Sequence, residues 1–278
     1  MAGTLYLVGT PIGNLGDLSP RAAEILGSVD FVAAEDTRVT LKLMNHLGLR
    51  KPLVSYYEHN RASSGERILS RLLAGESCAL VTDAGMPAIS DPGEDLVHLC
   101  RQNGVVVSPV PGPSALTAAL AASGIRTGRF CFEGFLSRGT KSRREHLEKL
   151  RAEERTMVFY EAPHKLLYTL RDLYECLGDR RAAICRELTK IHEEILHTTL
   201  SGAIEHFTQI PPRGEFVIVV EGAGGQPAEA DDEEAVEYAL GLVEEGMSVK
   251  DAAKKASERF RISRNSLYSE ILKRARED

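Results

Sequence analysis

Ala79-Leu80-Val81-Thr82-Asp83-Ala84-Gly85-Met86-Pro87-Ala88-Ile89-Ser90-Asp91-Pro92-Gly93-Glu94 is the stretch whose reading decides the fold. A short apolar run, Ala79 to Val81, gives way to a turn of small residues and prolines, then to helical spacing from Glu94 to Gly104. Such a run is too short for a helix and too apolar for an exposed hairpin, so it fits a buried strand of a parallel sheet. The same unit recurs. Runs at Leu5 to Val8, Phe31 to Ala34, Leu53 to Tyr56 and Val105 to Val107 are separated by helical segments at Ser19 to Gly27, Arg38 to Gly48 and Ser63 to Gly75. Several of these end in glycine, the favoured residue just past a helix. The repeating order predicts an α/β fold: an open, doubly wound N-terminal domain over residues 1–112, with a mostly parallel sheet covered on both faces.

Downstream, a buried helix is expected at Ser114 to Ser123, followed by strands at Phe130 to Phe132, Met157 to Tyr160, Ala182 to Cys185, Ile195 to Thr199 and Phe216 to Val220. Helices at Lys141 to Glu153, Lys165 to Leu177 and Gly202 to Phe207 complete a second α/β domain over 113–223. The Gly/Pro-rich run Gly222 to Pro227 and the acidic run Glu229 to Glu234 mark a linker at 224–232. Beyond it, Glu233 to Glu245, Val249 to Phe260 and Arg264 to Arg276 form a small all-helical domain over 233–278. Ala252, Ala253, Ala256 and Phe260 share one face, and Ser263 caps the third helix, which contains Leu267, Tyr268, Ile271 and Leu272. The pattern is helix-turn-helix-like. A chain of 278 residues is long enough for two cores and an appendage.

Several classes are set aside by composition. The longest apolar runs fall short of a membrane span and no signal-like segment opens the chain, so a soluble, cytoplasmic protein without membrane contact is expected. Five widely spread cysteines show neither disulfide-framework nor metal-ligand spacing, and no metal is expected. The net charge is −6, but basic residues gather at Arg138, Lys141, Arg143 and Arg144 and again along the C-terminal helices, including Lys254 and Arg264. These two groups are the candidate contacts for a nucleic-acid backbone.

Three turns combine small residues with proline after strands of the first sheet: Gly9 to Asn14, Asp83 to Gly93 and Pro111 to Ala115. Loops after parallel strands gather at one sheet edge, where open α/β sheets place their ligands. None matches the dinucleotide or phosphate-loop glycine patterns, which disfavours a nicotinamide cofactor or a nucleoside triphosphate.

The runs Thr10-Pro11-Ile12-Gly13-Asn14-Leu15 with Asp17-Leu18-Ser19, Ala34-Glu35-Asp36-Thr37-Arg38, Thr82 to Gly93, and Arg186-Glu187-Leu188-Thr189-Lys190 with His192-Glu193-Glu194 resemble the ribosomal RNA small-subunit methyltransferase I family, within the tetrapyrrole-methylase superfamily. The resemblance implies two α/β domains with the cofactor cleft between them and S-adenosylmethionine as methyl donor. It further implies the ribose 2′-hydroxyl of a 16S rRNA cytidine, nucleotide 1402 in the usual rRNA numbering, as acceptor, with 16S rRNA or the small ribosomal subunit as partner and a homodimer. Carried over position by position, it puts Ile12, Gly13, Asp83, Ala84, Gly85, Met86, Ile89, Ser114, Ala115, Glu161 and Leu188 at the cofactor. Two departures stand out: Asn14 replaces an acidic residue usual in tetrapyrrole methylases, and Met86 stands where the rRNA branch often has threonine.

A ribose hydroxyl is a poor nucleophile until it loses its proton, so a base or a cation beside the oxygen is needed. The candidates are Lys190, Glu187, Arg186 and Asp36, with Lys190 or Glu187 assisting the proton and Arg38 and Arg186 gripping RNA. The same charged residues equally fit a structural ion-pair network. A small-molecule tetrapyrrole methyltransferase and a non-catalytic RNA-binding ribosome-assembly module remain the alternative functions.

Overall fold

The computed structural model describes residues 2–224, 229–260 and 264–274. Strands β1 (Thr4–Val8), β2 (Phe31–Ala34), β3 (Leu53–Ser55), β4 (Cys78–Val81) and β5 (Val106–Val110) form a first sheet in the order β3-β2-β4-β1-β5. Every pairing in it is parallel. Alternation along β2 shows why this central strand is apolar at every position. Phe31 and Ala33 pack with Ile68 and Leu72 of helix α3 (Arg61–Leu73) and Leu96 of α4 (Glu94–Gln102). Val32 and Ala34 pack on the opposite face with Leu26 of α1 (Pro20–Ser28) and Met44 of α2 (Thr37–His46). Both faces are therefore covered, as the doubly wound reading requires.

Local chemistry starts these helices where the sequence suggests. The Ser19 hydroxyl accepts from Ala22 N–H at 3.1 Å, with Pro20 in the first turn, and the Asp36 carboxylate accepts from Arg38 N–H at 2.8 Å. Strand β5 runs three residues further than the expected Val107, through Pro109. It is an edge strand, where a missing N–H breaks no ladder.

The second sheet comprises β6 (Phe130–Phe135), β7 (Thr156–Glu161), β8 (Arg181–Arg186), β9 (Glu194–Thr199) and β10 (Phe216–Val220), in the order β6-β7-β10-β8-β9. Only β6 and β7 pair in parallel; the other pairings are antiparallel. Phe159, Ile184 and Ile218 face a core shared with α6 (Thr140–Lys149), α7 (Leu166–Leu177) and α8 (Leu200–Gln209). Val158, Ala183 and Val217 face α5 (Ala115–Ala122). Helix α6 stops at Lys149 rather than the expected Glu153, because the Glu153 carboxylate folds back onto the backbone N–H and guanidinium of Arg155.

Both sheets belong to one compact unit, Met1–Leu150 with Thr156–Val220. A second unit joins Arg151–Arg155 to the chain from Glu221 onward. It contains α9 (Glu229–Glu244), α10 (Val249–Phe260) and α11 (Arg264–Arg274), so α9 begins four residues before the expected Glu233. Its core is built on Ala235, Ala239, Ala252, Ala253 and Ala256, small enough for close helix approach, with Leu267 and Ile271. The expected turn Arg261-Ile262-Ser263 and the last residues, 275–278, lie outside the described residues.

Candidate active site

The loops after β1, β4 and β5 meet at the carboxyl edge of the parallel sheet and are bonded through backbone. Thr10 and Gly85 exchange N–H···O bonds of 2.9 and 3.1 Å, and the Thr10 hydroxyl donates to the Thr82 carbonyl at 3.1 Å. Gly9 and Gly112 stack glycine to glycine. A Cβ on Gly9 would lie 2.7 Å from Gly112 Cα and from Met86 Sδ, and one on Gly112 would lie 2.8 Å from the Gly9 backbone. Gly85 has φ +89°, open to glycine at little cost. The four non-glycine residues with positive φ among the described residues are Ala88, Ser90, Glu187 and Thr189. All four sit in two loops bordering the same cavity, and such strain concentrates at functional sites.

That cavity measures about 490 Å³, within the range of small-molecule sites. Its first wall is Ile12, Glu35, Thr82–Met86, Ile89–Asp91, Ser114 and Ala115; its second is Phe135, Tyr160–Pro163, Cys185, Leu188 and Glu215–Val217. Tyr160 ties the walls together: its hydroxyl accepts from Leu116 N–H at 2.9 Å, and its ring meets Phe132 and Phe135 edge-on at 4.9 and 5.5 Å. Glu161 is buried and satisfied, accepting from Ala162 N–H at 2.8 Å and from the Thr169 hydroxyl at 2.6 Å. Cys185 is a free thiol that burial pushes up to about 12, so it stays protonated.

Of the expected cofactor residues, Ile12, Asp83, Ala84, Gly85, Met86, Ile89, Ser114, Ala115, Glu161 and Leu188 line the cavity. Gly13 does not, but it carries the Lys190 side chain: a Cβ there would fall 2.4 Å from Lys190 Cγ. Sequence reasoning left out Glu35, Asp91, Phe135, Tyr160 and Glu215 as site residues. Glu35 and Asp91 lie inside the quoted runs, so their carboxyl groups were visible. Glu215 carries no local motif.

Lys190, Glu187, Arg186 and Asp36 are not among the residues that line the cavity. Lys190 Nζ donates to Glu187 Oε1 and Glu215 Oε2, each at 2.9 Å. Burial opposes its charge, but hydrogen bonds to Glu215 and Glu187 outweigh that and raise the ammonium pKa. For Glu187, burial acts upward, and the bonds from Lys190 and from Glu215 N–H bring the carboxyl below its ordinary range. Lys190 is thus a protonated cation and no base at neutral pH. Arg186 bridges to Glu194 at 3.0 Å. Asp36 caps α2 and pairs with Arg38, whose side-chain and backbone hydrogen bonds hold it down at about 2; its own N–H donates to Asp83 Oδ1 at 3.1 Å. Asp83 is raised, chiefly by burial.

The RNA candidates divide by exposure. Arg38 and Lys141 project into solvent, with side chains 88% and 92% exposed. Arg144 is exposed opposite Glu175. Arg143 turns inward onto Asp172 of α7 at 2.5 Å, both largely buried, so in this conformation it ties α6 to α7. Lys254 and Arg264 are exposed on α10 and α11. Among the described residues no group of His, Cys, Asp and Glu is arranged to hold a metal, and no helix is long and apolar enough to cross a membrane.

A doubly wound parallel sheet joined to a mixed sheet, with a small-residue cleft at its carboxyl edge, defines a class of two-sheet α/β proteins with a small-molecule site. The sequence profile of the tetrapyrrole (corrin/porphyrin) methylases matches residues 4–204. A uroporphyrin-III C-methyl transferase from Thermus thermophilus, complexed with S-adenosyl homocysteine, shares the fold with TM-score 0.55 at 20% identity, covering 79% of this chain and 97% of that one. A Synechocystis ribosomal RNA small subunit methyltransferase I is 47% identical over 96% of both chains. A Thermotoga maritima protein of the same name is 50% identical over 99% of its own length but only 79% of this chain. The chain belongs to the ribosomal RNA small subunit methyltransferase I family within the tetrapyrrole methylases.

Proposed function

We propose that the chain transfers a methyl group from S-adenosylmethionine to the ribose 2′-hydroxyl of a 16S rRNA cytidine, nucleotide 1402, in the cytoplasm and as a homodimer. The observation that carries this is the cavity on which the Thr82 to Gly93 loop and Leu188 of the 187–193 loop converge, in a chain whose full-length relatives carry that rRNA methyltransferase name.

The residues fit the donor. Small-residue backbone permits close approach, acidic side chains suit cationic groups, and Phe135 and Tyr160 offer apolar surface. Among the described residues no lysine or arginine lines the cavity, so a polyphosphate cofactor is poorly matched. Ile12, Asp83 to Met86, Ile89, Ser114, Ala115, Glu161 and Leu188 would hold S-adenosylmethionine, which supplies a methyl group activated on a sulfonium. Lys190 serves as the cation beside the developing alkoxide, oriented by Glu187 and Glu215. Arg38, Lys141, Arg144 and the basic residues of α10 and α11 draw in the RNA backbone.

Labelled S-adenosylmethionine offered with small ribosomal subunits, free rRNA and a porphyrinogen tests this reading. Label in RNA or subunits alone is expected. Label in the porphyrinogen alone would replace it with the tetrapyrrole reading.

A further inference from the structure

Among the described residues, five acidic side chains line the cavity, Glu35, Asp83, Asp91, Glu161 and Glu215, and no lysine, arginine or histidine does. Two of the five are matched: Glu161 by Ala162 N–H and the Thr169 hydroxyl, and Glu215 by Lys190. Glu35, Asp83 and Asp91 remain together on the loops after β2 and β4. The donors to Glu35 and Asp83 are neutral: the Thr82 hydroxyl to Glu35 at 2.7 Å, and Asp36 N–H to Asp83 at 3.1 Å. The Arg38 guanidinium is fork-bonded to Asp36 outside the cavity, though its field still reaches Asp83. Asp91 faces Glu35 from the end of β2, Thr82 and Asp83 from its own loop, and Tyr160 from β7. Burial, then the field of Glu35, push Asp91 up to about 6, with the Thr82 hydroxyl pulling back and Asp83 adding to the rise. Glu35 and Asp91 are half-buried and Asp83 is exposed, and like charges gathered on one such wall are costly until a cation arrives.

We infer that the Glu35–Asp83–Asp91 cluster reads the charge of the sulfur: the cavity favours the sulfonium donor and disfavours the neutral thioether left after transfer. This rests on the cavity being the S-adenosylmethionine site. In the transfer, the carbon–sulfur bond breaks with its electron pair staying on sulfur, a carbon–oxygen bond forms at the ribose, and the hydroxyl proton passes to solvent water. The ligand loses one positive charge while the wall keeps its own, so the attraction that loaded the donor is absent for the product. The same wall repels phosphates, so the ribose edge alone enters while the RNA backbone stays with the exposed basic residues outside.

Calorimetric titration of the full chain with S-adenosylmethionine, with sinefungin, which carries an ammonium in place of the sulfonium, and with S-adenosylhomocysteine separates the possibilities. At pH 8 the two cations are expected to bind about tenfold or more tightly than the thioether, as one charge pair at intermediate dielectric allows. The preference should shrink toward pH 5 as Asp91 takes up a proton. Near pH 6, buffers of different ionisation heat should reveal proton release on binding a cation and none on binding the thioether. Asp91→Asn and Glu35→Gln, two independent variants, should each reduce the preference severalfold. Equal affinity for all three ligands at pH 8, or an unchanged preference in both variants, would overturn the inference and leave the cofactor assignment standing. Binding of none of them would overturn that assignment as well.

Discussion

The wall contributed by the parallel sheet is made of backbone: Gly9 against Gly112, and Thr10 hydrogen-bonded to Gly85. The border contributed by the mixed sheet, the 187–193 loop between β8 and β9, is made of charge: Lys190 between Glu187 and Glu215, with Thr189 N–H on Glu193. Backbone walls are rigid and shape-selective, and they tolerate no added atom. Charged groups, both the ion-paired border and the Glu35, Asp83 and Asp91 carboxyls carried on the backbone wall, respond to pH and to ligand charge, and their loss costs function without costing the fold. The first wall accordingly suits holding a donor and the second suits chemistry on an acceptor.

Breaking the backbone wall should have the largest effect. In Gly9→Val the first new carbon already meets Gly112 and Met86, so binding of S-adenosylmethionine should become undetectable by calorimetry. Next comes the charged wall. Lys190→Ala should lower turnover about 100-fold with donor affinity kept within about threefold, the signature of lost electrostatic stabilisation; a parallel loss of donor binding would make Lys190 a structural residue instead. Smaller again is the helical unit. The Thermotoga relative is matched along nearly its whole length by 79% of this chain, room for the two sheets but not for the later helices as well. Lys254→Ala with Arg264→Ala should therefore weaken RNA binding about tenfold at low salt, less at high salt, and leave donor binding unchanged.

The smallest effect sharpens the contrast within the first wall. Asp91 ionises near 6 in the folded chain against an ordinary 3.8, so the unfolded chain loses its proton first. The resulting stability cost is absent below about pH 4, develops between pH 4 and 6, and is complete above pH 6. Asp91→Asn should raise the stability of the ligand-free protein at pH 7.5 by about 1 kcal/mol after allowance for solvent screening, read as a higher melting temperature. The gain should vanish at pH 4.

The same contrast explains what the sequence made legible. The parallel sheet was readable because β2 and β4 are apolar at every position and their loops announce themselves by glycine and proline. Those loops alone announce a small-molecule cleft; the family resemblance placed Ile12, Asp83 to Met86, Ile89, Ser114 and Ala115 in it, while Glu35 and Asp91 went unassigned. The charged border was only half readable. Glu187 and Lys190 are neighbours in sequence, but Glu215, which completes their network, lies 28 positions from Glu187. Arg143 read as a phosphate contact because its partner Asp172 sits on another helix. Asp91 looked like one more loop aspartate until folding set it beside Glu35. Local composition reports backbone shape, while charge pairing across elements is settled only by tertiary packing.

The destination of the methyl group decides between the functions open to this fold. Small subunits unmodified at the target should be incubated with the chain and labelled S-adenosylmethionine, and their rRNA digested to nucleosides for mass spectrometry. A single methyl per 16S rRNA, recovered as 2′-O-methylcytidine, is the predicted result. Label on a base, or on a nucleoside other than cytidine, would contradict it.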